Sequence, residues 1–495
     1  MTNNTLWNAM EAENNITSTT NGDKAYKSTL NPLMDFMFTA SSLRNADEIS
    51  ITKLFTKAYN FHKVYATRLA FYVRDIRGGQ GERRVFRACM KTLAEIDPET
   101  FKQIINFVPE YGRWDDLVEL LNSINNSELE KEILNTIIKQ YKEDIDNFNN
   151  NKPISILAKW MPSINASSET TIKSAKKLAK YIGVSHKDYR KMLSLLRKHL
   201  NVVEVNMSAK NWSNINYEHV PAKAMLRYKN AFNKNDTVRF QDYVNALSNP
   251  NSTTKINAST LYPFDIVNKV FHLSENDQVL DAQWKALPDY FGDKFDNALV
   301  VCDTSGSMYG TPINVAIGLS MYLAERNKGL FNNKFITFSN HPELQEICGK
   351  NILERVRSIN DADWGMNTDI ASVFKLILNS AVNNNLTQAD MPSMLYIISD
   401  MQFDCCSNFE NVTVFEKYQK EFENNGYKLP TVVFWNVAGE SYNNMPITVS
   451  NTGAIVCSGY SPSVVKYIME SDVTDTNQLI ENIVRSKRYA NILAE

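Results

Sequence analysis

The chain has 495 residues, of which 43% are hydrophobic and 22% charged, and its formal net charge is −2. This is the composition of a soluble globular protein, and the length exceeds the ~250–300 residues at which single cores stop growing, so more than one domain is expected. No run of about 18 apolar residues occurs, so no membrane-spanning helix is expected, and no membrane partner is expected either.

Residues 1–30 are polar and rich in Asn and Thr. They lack the basic start and apolar stretch of a secretory leader and are expected to form a disordered tail. From 31 to 290 the apolar residues keep helical spacing: Leu54, Tyr59 and Phe61, then Val64 to Val73, Val85 to Ala94, Leu117 to Leu121, and Ile133, Leu134, Ile137 and Ile138. A glycine-rich stretch, Arg74–Arg84, and a turn at Tyr111–Asp116 punctuate them. Successive helices without strands predict an α-solenoid of HEAT-like repeats or a bundle.

From 296 to 472 the pattern alternates. Apolar runs predict strands at Ala298–Cys302, Lys334–Ser339, Met394–Ser399, Thr431–Val437 and Ala454–Ser458. Helical spacing between them predicts Pro312–Arg326, Asp369–Ala381, Val414–Glu423 and Ser461–Met469. Such alternation implies βαβ units and a doubly wound, Rossmann-like α/β sheet covered on both faces. Residues 473–495 are expected to form a last helix that packs back on the helical region.

Six cysteines occur without a Cys-x-x-Cys pair, and Cys405 adjoins Cys406. Neither a disulfide frame nor a zinc site follows. Cys89, Cys302 and Cys348 lie in apolar surroundings, which fits a reducing, cytoplasmic setting. The six histidines show no His-x-x-x-His pairing and read as structural or surface residues.

Chemistry gathers after the first of these strands, in Asp303-Thr304-Ser305-Gly306-Ser307. One carboxylate and two hydroxyls on a tight loop are hard oxygen donors, the set Mg²⁺ or Mn²⁺ prefers. Such a loop fills only part of an octahedron. Thr368, in Trp364-Gly365-Met366-Asn367-Thr368-Asp369, and Asp400, at the end of Met394–Ser399, are the further donors expected. A dehalogenase-type phosphatase would need an acid where Ser305 stands, and an aspartic protease would need Asp-Thr-Gly twice.

The set resembles the metal-ion-dependent adhesion site of von Willebrand factor A domains. Asp303, Ser305 and Ser307 match its first loop, Thr368 the second and Asp400 the third. The resemblance implies that Ser305, Ser307 and Thr368 bind the metal directly, that the aspartates act partly through water, and that an acidic side chain of a partner completes the coordination. It implies binding, not turnover, and therefore no enzyme. A helical region followed by such a domain is similar to the TROVE family of Ro autoantigens, and most to a branch found in plants, bacteria and viruses. Arg74–Arg84, Tyr111–Leu117, Leu157–Pro162, Tyr189–Leu200 and Leu261-Tyr262-Pro263 carry this likeness. It implies a ring of HEAT-like helices that binds structured or misfolded RNA, although no match to Ro's own RNA-contact motifs is evident.

The charge is unevenly spread. Residues 151–240 hold 17 Lys and Arg against 5 Asp and Glu, a net of +12, which leaves −14 for the remainder. Lys173, Lys176, Lys177 and Lys180 share one helix face, and Arg190, Lys191, Arg197 and Lys198 form a stripe on the next helix. Phosphates would answer these like charges, and Trp212, Tyr217 and Tyr228 could stack on unpaired bases. These residues therefore predict RNA as a partner. Ala179–Ser185 before a basic helix also resembles a helix-turn-helix, but similar helix pairs upstream favour a solenoid joint. The expected function is a Ro-like RNA-binding scaffold with a metal-dependent adhesion domain. A protein-only scaffold and a metal-dependent phosphoryl transferase are the alternatives.

Overall fold

Residues 14–30 are structured, where a disordered tail was expected. In the computed structural model, which describes residues 10, 14–41, 43–292, 297–338, 341–362, 368–404, 412–438, 444–469 and 474–494, β1 (Ile16–Ser18) and β2 (Lys24–Tyr26) pair as an antiparallel hairpin. Its polar residues find partners far along the chain. The Thr19 hydroxyl donates to the Phe403 carbonyl (2.7 Å), and the Tyr26 and Met445 backbones exchange two hydrogen bonds of 2.8 Å. Low local hydrophobicity is offset by these long-range bonds.

Two helices follow, α1 (Pro32–Thr39) and α2 (Glu48–Phe61). Asn31 caps α1 by accepting from the Leu33 and Met34 amides, with Pro32 at the first helical position. Phe36 and Phe55 meet at 5.8 Å between ring centroids, which joins α1 to α2.

The chain divides into two compact units, residues 1–69 with 261–489, and residues 70–260 with 490–495. In the second unit the described elements of 70–260 are helical. They include α3 (Arg83–Ile96), α4 (Trp114–Ser123), α5 (Ser127–Asn149), α6 (Glu169–Ile182), α7 (His186–His199), α8 (Ala222–Asn235) and α9 (Thr237–Ser248). A buried ion network holds the two turn motifs together. Arg74, 1% exposed, gives Nε and Nη2 to Asp116 Oδ2 at 2.8 and 2.7 Å, and Arg87 Nε reaches Asp116 Oδ1 at 2.7 Å. Gly112 is required here, because a Cβ would lie 2.5 Å from Asp116 Oδ2. At the joint of α6 and α7, Gly183 takes a left-handed φ of 82° and Ser185 caps α7 by accepting from the Asp188 amide.

Within the first unit a six-stranded sheet runs in the order β5-β4-β3-β6-β7-β8. Its strands are β3 (Ala298–Cys302), β4 (Lys334–Thr337), β5 (Leu344–Glu346), β6 (Met394–Ser399), β7 (Thr431–Asn436) and β8 (Ala454–Ser458). All pairings are parallel except β4 with β5. Every residue of β3 and β8 is buried, so the sheet is covered on both faces. The associated helices include α10 (Thr311–Arg326), α11 (Ile370–Asn383), α12 (Val414–Asn424) and α13 (Val464–Met469).

Several expectations are revised. β5 was not anticipated, being a short edge strand without an apolar run. The purely parallel sheet is therefore mixed. The predicted strand end at Ser339 lies outside the described residues. The last helix, α14 (Thr476–Arg485), covers only part of the expected 473–495 and packs on α1 and β8, where the Thr476 hydroxyl accepts from the Val456 amide (2.9 Å). Cys89, Cys302 and Cys457 are buried free thiols, whereas Cys348 is exposed; Cys405 and Cys406 lie outside the described residues. No described helix is long and apolar enough to cross a membrane.

Candidate functional site

The sheet order reverses around β3, whose neighbours are β4 and β6. Open α/β sheets bind ligands beyond the carboxyl ends of the strands at such a switch point. Asp303 follows β3 and Asp400 follows β6, so the topology places both carboxylates at that edge. The Asp303 amide donates to the Ile398 carbonyl (3.0 Å), which holds the two loops side by side.

Asp303 is fully buried and well held. Its Oδ1 accepts from the Ser305 amide (2.9 Å) and its Oδ2 from the Ser399 hydroxyl (2.6 Å). Ser305 and Ser307 bring their Oγ atoms to 3.1 Å, close to the ~3 Å that separates neighbouring ligands on an octahedron with bonds of ~2.1 Å. Ser305 is buried and Ser307 exposed. Thr368 is buried and tied to the loop after β6: its amide donates to Asp404 Oδ2 (2.6 Å), and the Asp404 amide donates to its carbonyl (3.0 Å). The preceding residues, Trp364 to Asn367, lie outside the described residues. Asp400 is 4% exposed and its Oδ1 accepts from the Gln402 amide (3.0 Å).

The electrostatics suit a cation. Burial, then the Asp400 carboxylate, pushes the Asp303 carboxyl upward, while bonds from Ser399 and Ser305 oppose the shift. Two carboxylates thus repel one another in a buried site, and a divalent ion would relieve that repulsion. Among the described residues no group of three or more His, Cys, Asp or Glu is placed to hold a metal. The donor set of the candidate site is instead two carboxylates and three hydroxyls, which fits Mg²⁺ or Mn²⁺.

Sequence reasoning missed three contributors. Ser399 orients Asp303, and its Oγ also accepts from the Met401 amide (3.0 Å). Asp404 holds Thr368. The N-terminal hairpin leans on the same loop, with the Thr20 amide donating to Gln402 Oε1 (2.7 Å) and Asn21 Nδ2 to the Gln402 carbonyl (2.8 Å). Asp23, at its turn, is pushed up to about 7, first by burial and then by Asp369 and Asp404, against a bond from the Lys24 amide. An Asp four residues beyond Asp400 was a readable signal; nothing local marked the hairpin.

The basic residues of the second unit divide into two groups. Lys176, Lys180, Arg190, Lys191 and Lys198 are exposed. Lys173 pairs with Glu169 (2.9 Å) and Lys177 with Glu130 (2.8 Å), so half of the α6 quartet is answered within the chain. Arg197 turns inward, giving Nε to the Ala158 carbonyl, Nη1 to Ser163 Oγ and Nη2 to the Met161 carbonyl at 2.8–3.0 Å. It braces the Leu157–Pro162 segment rather than standing in an exposed stripe. Tyr217 is likewise no stacking platform: it is buried against Phe232, Phe240 and Tyr243, and its hydroxyl donates to Asp236 (2.6 Å). Trp212 and Tyr228 are half-buried.

Residues 19–152 and 136–294 match the domain of unknown function DUF2828, and residues 297–491 match the domain of unknown function DUF7788. The first match starts inside the hairpin. Uncharacterized protein L728 of Acanthamoeba polyphaga mimivirus is 31% identical over 491 residues, covering 92% of this chain and 85% of that protein. The crystal structure of the Ro (RSR) protein of Deinococcus radiodurans aligns over 92% of this chain and 99% of that one, at 12% identity and a TM-score of 0.37, too distant to carry an argument.

Proposed function

We propose a function for this chain, which belongs to the DUF2828 family: it is a non-catalytic, Ro-like binding scaffold that couples a metal-dependent adhesion site to an RNA-binding helical unit. What supports this reading is the buried pair of Asp303 and Asp400 at the carboxyl edge of the sheet, beside the Ser305 and Ser307 hydroxyls, with Thr368 tied to the loop after β6. Ser305, Ser307 and Thr368 would hold Mg²⁺ or Mn²⁺ with their hydroxyls, and Asp303 and Asp400 would supply the negative charge. The ion would present a Lewis-acidic position to an acidic side chain of a protein partner, in the manner of von Willebrand factor A domains.

The RNA part rests on charge. The excess of Lys and Arg over 151–240 persists at the surface in Lys176, Lys180, Arg190, Lys191 and Lys198, which make no ion pair among the described residues. Phosphate contacts release counterions, so binding should weaken steeply with salt.

Asp303→Asn tests the metal site. Without metal the variant should melt above the wild type, because one of two like charges is gone while Asn still accepts from the Ser305 amide. Magnesium at a hundredfold excess over its dissociation constant should stabilise the wild type by about 2.7 kcal/mol and leave the variant unmoved. An equal magnesium shift in both proteins sinks the assignment. For the RNA part, Lys176→Glu with Lys180→Glu should lower affinity for single-stranded RNA and flatten its salt dependence, as read by fluorescence anisotropy. A wild type that ignores RNA at low salt ends that part of the reading.

A further inference from the structure

Beside α7, within the second unit, a cleft of about 760 Å³ opens. Arg190, Ser194, Arg197 and Lys198 line it together with Asn206 and Asn211. Positions 190, 194, 197 and 198 recur at helical spacing, so they form one stripe. Arg190 and Lys198 then stand about 12 Å apart along the helix axis. No Asp or Glu lines the cleft.

Arg197 makes the charge there unusual. All three of its hydrogen bonds go to neutral acceptors, two carbonyls and a hydroxyl. A carboxylate partner would have cancelled the guanidinium charge; these acceptors fix its position and leave the charge in place. Two of the four α6 lysines differ, since Lys173 and Lys177 already have Glu169 and Glu130. The cleft thus gathers Arg190, Arg197 and Lys198 with no carboxylate on its lining. Asparagine amides among the lining residues both donate and accept, as ribose hydroxyls and base edges require.

We propose that this cleft seats a short unpaired stretch of RNA, with phosphates on Arg190 and Lys198 beside the fixed charge of Arg197. The proposal rests on the RNA reading above and gives it an address. A cleft of this size admits unpaired nucleotides but not the body of a duplex.

The test uses the full chain and a short, mixed-sequence, fluorescein-labelled single-stranded RNA, titrated at several salt concentrations. Arg190→Ala with Lys198→Ala should weaken binding about tenfold or more and lower the salt slope by about 1.4, at about 0.7 per phosphate contact on a single strand. Ser194→Trp fills the cleft without changing charge and should weaken binding as strongly. Lys131→Ala with Lys142→Ala, two exposed lysines of α5, removes the same charge elsewhere and should leave the affinity within about twofold. Circular dichroism confirms that each variant is folded. Should Ser194→Trp and the Arg190/Lys198 variant bind like the wild type while Lys176→Glu with Lys180→Glu loses affinity, the cleft is overturned and the RNA reading survives. A wild type without RNA binding overturns both.

Discussion

Asp116→Ala is expected to cost the helical unit about 3–5 kcal/mol, the range for removing one partner of a buried ion pair. Asp116 is fully buried and answers two guanidiniums at once, Arg74 through Oδ2 and Arg87 through Oδ1. It also accepts from the Arg113 amide (3.0 Å), which closes the first turn of α4. Without it Arg74, 1% exposed, is left as an unpaired buried charge. The neighbouring Arg83–Asp115 pair is a control: at 3.4 Å, with Arg83 half exposed, Arg83→Ala should cost under about 1 kcal/mol. Arg74→Met added to Asp116→Ala should recover much of the loss, since the stranded charge is removed. Hydrogen exchange over α3 and α4 is the measurement, because it reads the helical unit separately from the other unit. A loss below about 1 kcal/mol for Asp116→Ala would show that the network does not hold the unit together.

The second large effect is a dependence on pH set by Asp23. Burial raises its folded-state value from 3.8 to about 7, and Asp369 and Asp404 add to the rise. Between about pH 4 and 7 the folded chain holds a proton that the unfolded chain has released. Stability therefore falls as pH rises through this window and levels off above it. Below about pH 4 both states are protonated and the penalty vanishes. Asp23→Asn keeps an acceptor for the Lys24 amide and removes the charge. It should stabilise the protein at pH 8 by about 2–4 kcal/mol, since each tenfold change in proton affinity is worth about 1.4 kcal/mol, and flatten the slope. Urea unfolding in EDTA at pH 5 and pH 8, followed by exchange in the hairpin amides, reads this directly. An unchanged slope in the variant would place the pH dependence elsewhere.

Much of the sheet and its edge was legible in the sequence. Ala298–Cys302, Met394–Ser399 and Ala454–Ser458 form strands with the predicted ends, because each is an apolar run stopped by polar residues. Asp303 and Asp400 could be assigned to one site because strand ends in a parallel sheet lie along one edge. The helices over 70–260 were legible for the same reason of period. Where a residue's role depends on distant partners, spacing was a poor guide. Arg197 keeps its place in the stripe but points its donors at Ala158, Met161 and Ser163. Tyr217 looked like a surface aromatic because its partners Phe232, Phe240 and Tyr243 arrive from later helices. β1 and β2 were invisible because no local apolar pattern supports them.

The hairpin has a consequence for synthesis. Thr19 meets the Phe403 carbonyl across 384 residues of chain. At about 5–20 residues per second, roughly 20–80 s separate the emergence of the two on the ribosome. Residues 14–30 wait through that interval without their distant partners. A strand pair rich in Val and Ile would invite aggregation while it waited. The Asn- and Thr-rich start of this chain stays solvated until the sheet edge exists, so the polarity that looks like disorder serves a delayed assembly.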